Sequence, residues 1–182
     1  YRSPVLDKNA LCIFVSQSGE TADTKAALDY SKSRGIKTLS IVNVKNSSIA
    51  RESDFCIYTK AGAEIGVAST KAFTAQLSVL LSMAIHLGTM NKTLSKNQNK
   101  EICHEIMKAP TLLEESIKRS YSLKETAQSI INAKGVMYLG RGTSFPLALE
   151  GALKFKEISY IHAEGYPAGE MKHGPLALIE KD

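Results

Sequence analysis

The segment Ser16-Gln17-Ser18-Gly19-Glu20-Thr21 places three hydroxyls, a side-chain amide and a glycine between an apolar run, Leu11-Cys12-Ile13-Phe14-Val15, and a helical pattern over 22–34. At such a junction the helix offers unpaired main-chain N–H groups and the positive end of its dipole. Together these groups form a receptor for an anion, with phosphate the first ligand to consider. The plainer reading is a helix cap made by Ser18 or Thr21. A cap needs only one such residue, and here there are three. Glu20 would repel a bound anion unless it points away or pairs with a cation.

A second group lies late in the chain. Glu150, Lys154 and Glu157 stand at i, i+4 and i+7 of a helical pattern over 145–160, so they share one face. An exposed ion-pair ladder is one reading. The apolar neighbours Leu147, Leu149, Leu153, Phe155 and Ile158 support another, a partly buried carboxylate that can move protons. His173, in the turn-rich stretch Glu170-Met171-Lys172-His173-Gly174-Pro175, can present an imidazole to a ligand. His162 follows an apolar stretch and is expected to pack, and His86 and His104 read as structural. In Gly66-Val67-Ala68-Ser69-Thr70-Lys71, Ser69 reads either as a helix N-cap or as a contact to a polar ligand at the same sheet edge.

Alternating patterns must position these groups. Strands are expected over 10–15, 37–42 and 55–58, with helices over 22–34, 47–52 and 69–87, the last ended by Gly88. Gly35 is the expected C′ residue of the first helix. Repeated β-α-β units imply a parallel sheet covered on both faces, which binds ligands at the carboxyl ends of its strands. Residues 91–100 are polar, lack periodicity and read as a linker. Helices are expected over 101–118, kinked or broken at Pro110, and over 122–133. Then a strand over 136–139, the loop Gly140-Arg141-Gly142-Thr143-Ser144 and the helix over 145–160 repeat the first arrangement. The reading is therefore two related α/β domains, 1–90 and 101–182.

Composition narrows the function. The 182 residues are 43% hydrophobic and 23% charged, as in soluble globular proteins. Aromatics make up 7% and Trp is absent, which argues against a stacking surface for nucleic acid. The net charge of +5 is spread out, and its densest stretch, 92–100, reads as solvated surface. Cys12, Cys56 and Cys103 lack metal-ligand spacing and read as thiols buried in a reducing compartment. The longest apolar run, 77–87, is too short to span a bilayer, and no signal peptide is visible. A cytoplasmic protein is expected. The chain starts at Tyr1 without an initiator Met and ends at Asp182 without a clear stop, so it is expected to be a piece of a longer protein.

Four segments in order resemble one family. Residues 16–21, 64–73, 149–164 and 169–178 look like the isomerase half of the glutamine–fructose-6-phosphate aminotransferases, built from sugar-isomerase (SIS) domains. The resemblance implies two flavodoxin-like domains in tandem and conversion of fructose 6-phosphate, with ammonia from glutamine, to glucosamine 6-phosphate. It implies no metal or organic cofactor. By the motif match, Ser16, Gln17, Ser18 and Thr21 hold the sugar phosphate, and Val67 and Ser69 touch the sugar. Glu157 moves the proton between C1 and C2, with Lys154 and Glu150 in support. His173 assists ring opening within a homodimer that shares its active sites. The family's glutamine-hydrolysing domain, an earlier strand and the rest of the second domain are expected outside these residues, so the chain alone is expected to be inactive. Two other readings stay open: a non-catalytic phosphosugar-binding module, and a phosphosugar isomerase that never uses ammonia.

Overall fold

The computed structural model describes residues 4–179. The outermost residues of the two expected domains, 1–3 and 180–182, lie outside the described residues. The chain forms two compact units, Tyr1–Ile102 and Cys103–Asp182.

The N-terminal unit holds β1 (Leu11–Ser16), α1 (Ala22–Ser33), β2 (Lys37–Val42), α2 (Ser48–Glu52), β3 (Phe55–Tyr58) and α3 (Lys71–Met90). The strands form one parallel sheet in the order β1-β2-β3. β2, the middle strand, is buried from Thr38 to Val42. Phe14, Leu28, Val42, Ile49 and Ala50 form the core on the face covered by α1 and α2, with Cys12, Cys56 and Tyr58 packed against it. Leu28 and Ile49 are fully enclosed, and each contributes roughly 1.5–3 kcal/mol of burial. On the opposite face Leu39 and Ile41 are buried, whereas Ile13 and Val15 are 42% and 37% exposed. Helix cover on that face therefore does not reach β1, short of the two-sided cover expected.

α1 ends as expected. The Gly35 N–H donates to Lys32 and the Ile36 N–H to Ser31, closing the paired bonds of a Schellman turn. α3 departs from expectation at both ends. Its N-cap is Thr70 rather than Ser69, and it runs through Gly88 to Met90. Lys92, at φ 58, takes the left-handed position instead. Gly88 serves as a gap in the helix surface. The Leu94 side chain folds back against it, and a Cβ there would lie 2.8 Å from Leu94 Cδ1. At 20 residues, α3 is longer than the apolar run expected and meets a membrane span's requirements by length and composition only, a test that core helices of soluble proteins also pass. In this fold it lines an open pocket of about 560 Å³ with Ile57 and Thr59.

The expected linker is partly helical, because α4 spans Lys96–Ser120. Ser95 and Gln98 explain this. The Gln98 N–H donates to Ser95 Oγ (3.2 Å), and the Ser95 N–H donates to Gln98 Oε1 (2.9 Å), a reciprocal capping box. α4 also continues through Pro110. The proline removes one helical bond there without ending the helix.

In the C-terminal unit, Tyr121–Leu123 is a 3₁₀ turn, α5 (Lys124–Ser129) is shorter than expected, and β4 (Gly135–Gly140) is followed by α6 (Phe145–Ser159). β5 (His162–Pro167), which no pattern had suggested, pairs parallel to β4 from Gly135↔His162 to Gly140↔Pro167. α6 packs on both strands through Ala148 and Ala152, and the Tyr138 and Phe155 rings meet at 6.1 Å. Cys103 is exposed on α4, against the expectation of burial.

One carboxylate stitches β2 to the start of β3. Asp54 Oδ2 accepts from the Thr38 N–H (2.8 Å) and the Thr38 hydroxyl (3.0 Å). Those two bonds, main-chain N–H first, hold the Asp54 carboxyl below its usual range. A depressed carboxyl stabilises the fold above its unfolded value of about 3.9, and that contribution is lost as pH falls through the lower folded value. Urea midpoints measured at pH 5 and pH 3 should therefore fall more steeply for the natural sequence than for Asp54→Asn; parallel slopes would contradict this role.

Candidate functional site

β1, β2 and β3 end level, since the register pairs Ser16 with Val42 and Val42 with Tyr58. The loops that follow all leave one edge of the sheet. In the first loop the buried Ser16 Oγ accepts from the Gly19 N–H (3.0 Å) and shares a 2.9 Å hydrogen bond with the Thr21 hydroxyl. Ser18 Oγ accepts from the Glu20 N–H (3.1 Å). The Ser16 hydroxyl is thus turned into the loop and braces it. Thr21 occupies the N-cap of α1 but its side chain makes no cap bond. The first helical donor with a main-chain partner is the Lys25 N–H, which reaches the Thr21 carbonyl at 2.9 Å. Capping by Ser18 or Thr21, the plainer expectation, is not what these side chains do. The N-terminus of α1 keeps the anion-attracting character that its orphan N–H groups and dipole confer.

Gly19 makes the turn possible. Its φ is +68°, and a Cβ would stand 2.0 Å from Ser47 Oγ. Its carbonyl accepts from the Ile49 N–H at 3.0 Å, seating the loop on α2. Glu20 resolves the charge problem by reaching away. Its Oε1 accepts from the Ser48 N–H at 2.7 Å, and this bond, aided by the Ser48 hydroxyl and Arg51, holds the carboxyl below its usual range. Glu20 therefore does for α2 what Ser47, at the N-cap position, does not. Ser47 Oγ is the one buried side-chain polar atom without a hydrogen-bond partner among the described residues.

The loop after β3 carries Val67, fully exposed, and Ser69, half-buried. It is held at its far end by Glu64, a residue sequence reasoning passed over. Glu64 accepts from the Ala72 N–H (3.1 Å) and from the Thr70 hydroxyl (3.3 Å), capping α3 from a distance. A carboxylate a few residues ahead of a helix start was the available signal.

In the C-terminal unit, α6 follows the turn Gly142–Ser144, with Pro146 in its first turn. Lys154 Nζ lies 2.6 Å from Glu157 and 3.7 Å from Glu150, and its side chain is only 20% exposed. The three residues share one face as the spacing predicts, and they are more sheltered than an open surface ladder. His173 ends the turn Ala168–His173, and its Nδ1 lies 2.9 Å from Glu170. Its ring is largely exposed. His162 does not pack: it opens β5 with its side chain exposed. His86 and His104 are exposed as well.

The SIS domain profile matches residues 1–86 and 129–182, well over half of the chain. The chain belongs to the SIS domain family. Across 181 residues this SIS chain is 51% identical to the glutamine–fructose-6-phosphate aminotransferase [isomerizing] of Bartonella quintana, and 55% identical to that of Bradyrhizobium diazoefficiens. In each comparison all of the chain is covered, and it spans 30% of the relative's length. A solved structure, the C-terminal domain of glucosamine-fructose-6-phosphate aminotransferase from Francisella tularensis, superposes with a TM-score of 0.95 at 44% identity. The SIS chain accounts for 51% of that structure's chain.

The strand-end loop of this SIS domain yields a paired test. Gly19→Ala should lower stability by about 2–4 kcal/mol, from left-handed strain plus the clash with Ser47. Ser47→Ala should leave the urea midpoint unchanged or raise it, because it removes an unpaired hydroxyl and no cap. A loss of about 1 kcal/mol, usual for a working N-cap, would overturn this reading of Ser47.

Proposed function

We propose that this chain is the isomerase portion of a protein that converts fructose 6-phosphate and glutamine-derived ammonia to glucosamine 6-phosphate. The observation that carries the reading is the 51–55% identity, along all of the chain, to relatives named for that reaction. Residues 1–90 and 101–182 read as tandem sugar-isomerase domains, extended in the whole protein by further segments that include a glutamine-hydrolysing domain. A cytoplasmic homodimer with shared active sites accompanies this reading.

The residue roles are those the motif match implies, and the chemistry of the side chains suits them. Ser18, Thr21 and Gln17 hold the sugar phosphate at the N-terminus of α1, with Ser16 bracing them. Val67 and Ser69 meet the sugar. A phosphate held away from the reacting carbons fixes the substrate before the reaction and lowers its entropic barrier. Aldose–ketose interconversion removes a proton from one carbon and returns it to the neighbour, and one carboxylate, Glu157, can serve both. Lys154 and Glu150 fix the Glu157 side chain. His173 supplies acid–base help for opening the ring.

Two measurements test this. In the full natural chain, replacing Ser18 and Thr21 with Ala should weaken fructose 6-phosphate binding by about ten- to a hundredfold, roughly 1.5–3 kcal/mol of charge-assisted hydrogen bonding. Unchanged affinity by calorimetry would remove the phosphate from this loop. Glu157→Gln should bind the sugar normally and lose about 10²–10⁴ in turnover, the range for general acid–base groups. Near-normal kcat would remove Glu157 from the proton transfer.

A further inference from the structure

Asn43 is the first residue after β2, midway between the phosphate-loop candidate and the loop bearing Val67 and Ser69. It bonds to both. Its main-chain N–H donates to the Gln17 carbonyl at 3.1 Å, and the Val44 N–H reaches the same oxygen at 3.4 Å. On the other side its Oδ1 accepts from the Thr59 hydroxyl (3.1 Å) and from the Ala61 N–H (2.9 Å). Its Nδ2 donates to the Gly62 carbonyl at 2.6 Å. These bonds close a tight turn in which Lys60 and Gly62 both have positive φ, 55° and 74°. From Gly62 the chain runs through Glu64, tied to the start of α3, and between those anchors lie the exposed Ile65 and Val67.

The side-chain amide can accept from one N–H through its oxygen while its NH₂ donates to a nearby carbonyl. An aspartate would set a carboxylate against the Gly62 carbonyl, and an aliphatic residue would leave the Ala61 N–H and the Gly62 carbonyl without this partner. No other single residue among the described bonds joins the loop after β1 to the loop after β3. The sheet brings the two loops together, and Asn43 ties one to the other.

We propose that Asn43 is a positioning residue: it holds the loop that binds the phosphate end of the substrate in register with the loop that meets its sugar end. The proposal rests on the phosphosugar reading of the site. Asn43 touches neither end itself, so its effect should appear only for a ligand that spans both loops.

The test uses the full natural chain with Asn43→Asp and, as a milder change, Thr59→Val. Two probes are compared: fructose 6-phosphate as substrate, and inorganic phosphate as a competitive inhibitor that needs only the first loop. Asn43→Asp should lower kcat/KM for fructose 6-phosphate about ten- to a hundredfold, the scale for a misplaced substrate. The inhibition constant of phosphate should change less than about twofold. Thr59→Val should shift kcat/KM in the same direction by a smaller factor, and it keeps the test decisive should Asn43→Asp fold poorly. Equal losses for both probes, or no loss for the sugar phosphate in either variant, would overturn the positioning role. If the natural sequence binds neither probe, the phosphosugar reading itself fails and the proposal falls with it, an outcome distinct from the other two.

Discussion

Parallel strands cannot be joined by a tight turn; each must be followed by a crossover that returns the chain to the starting edge. This constraint shapes the N-terminal unit. Ser16, Val42 and Tyr58 finish side by side, so three loops far apart in sequence leave the sheet together. A one-residue slip of β2 would turn Val42 away from the core face and separate Thr38 from Asp54. Whatever the loops bind, their proximity is a property of the sheet, and the helices exist to make the crossovers.

The loops are tied to the scaffold in one recurring way. Glu20, Asp54 and Glu64 each accept a main-chain N–H from a different segment: Ser48 at the start of α2, Thr38 in β2 and Ala72 at the start of α3. A charged acceptor makes a stronger bond than a neutral one. At a helix start it also meets the positive end of the dipole. The unit thus uses acidic side chains as ties between segments, while the serine and threonine hydroxyls of the first loop bond within that loop. This explains why a carboxylate can stand beside an anion-attracting turn: Glu20 is directed to α2.

Much of this was legible from residue patterns. β2 and β3 begin and end where alternation and β-branching place them, and Gly35 ends α1 by the expected turn. The shared face of Glu150, Lys154 and Glu157 followed from helical spacing alone. What escaped has physical reasons. β5 contains His, Ala, Glu, Gly, Tyr and Pro, with no β-branched residue, and becomes a strand only because β4 and α6 are there to receive it. The start of α4 was in fact written in Ser95 and Gln98, but the polar residues around that pair concealed it. Gly88 looked like a helix stop, whereas Leu94 requires it as a gap. Asn43 and Glu64 resemble ordinary loop residues until tertiary structure brings their partners within reach. Sequence patterns thus pointed to candidate side chains and missed the groups that hold their loops.

The bonds inside the turn from Gln17 to Thr21 carry a further consequence. Ser16, Ser18 and the seat of Gly19 on α2 fix the backbone through bonds made entirely within the protein. Confining a residue's backbone costs roughly 1–2 kcal/mol at room temperature. For this loop that entropy is surrendered once, when the chain folds, and not again at each encounter with a ligand. Under the proposed reading, an anion at the turn would meet a backbone already ordered, so that weak direct contacts would suffice for useful binding.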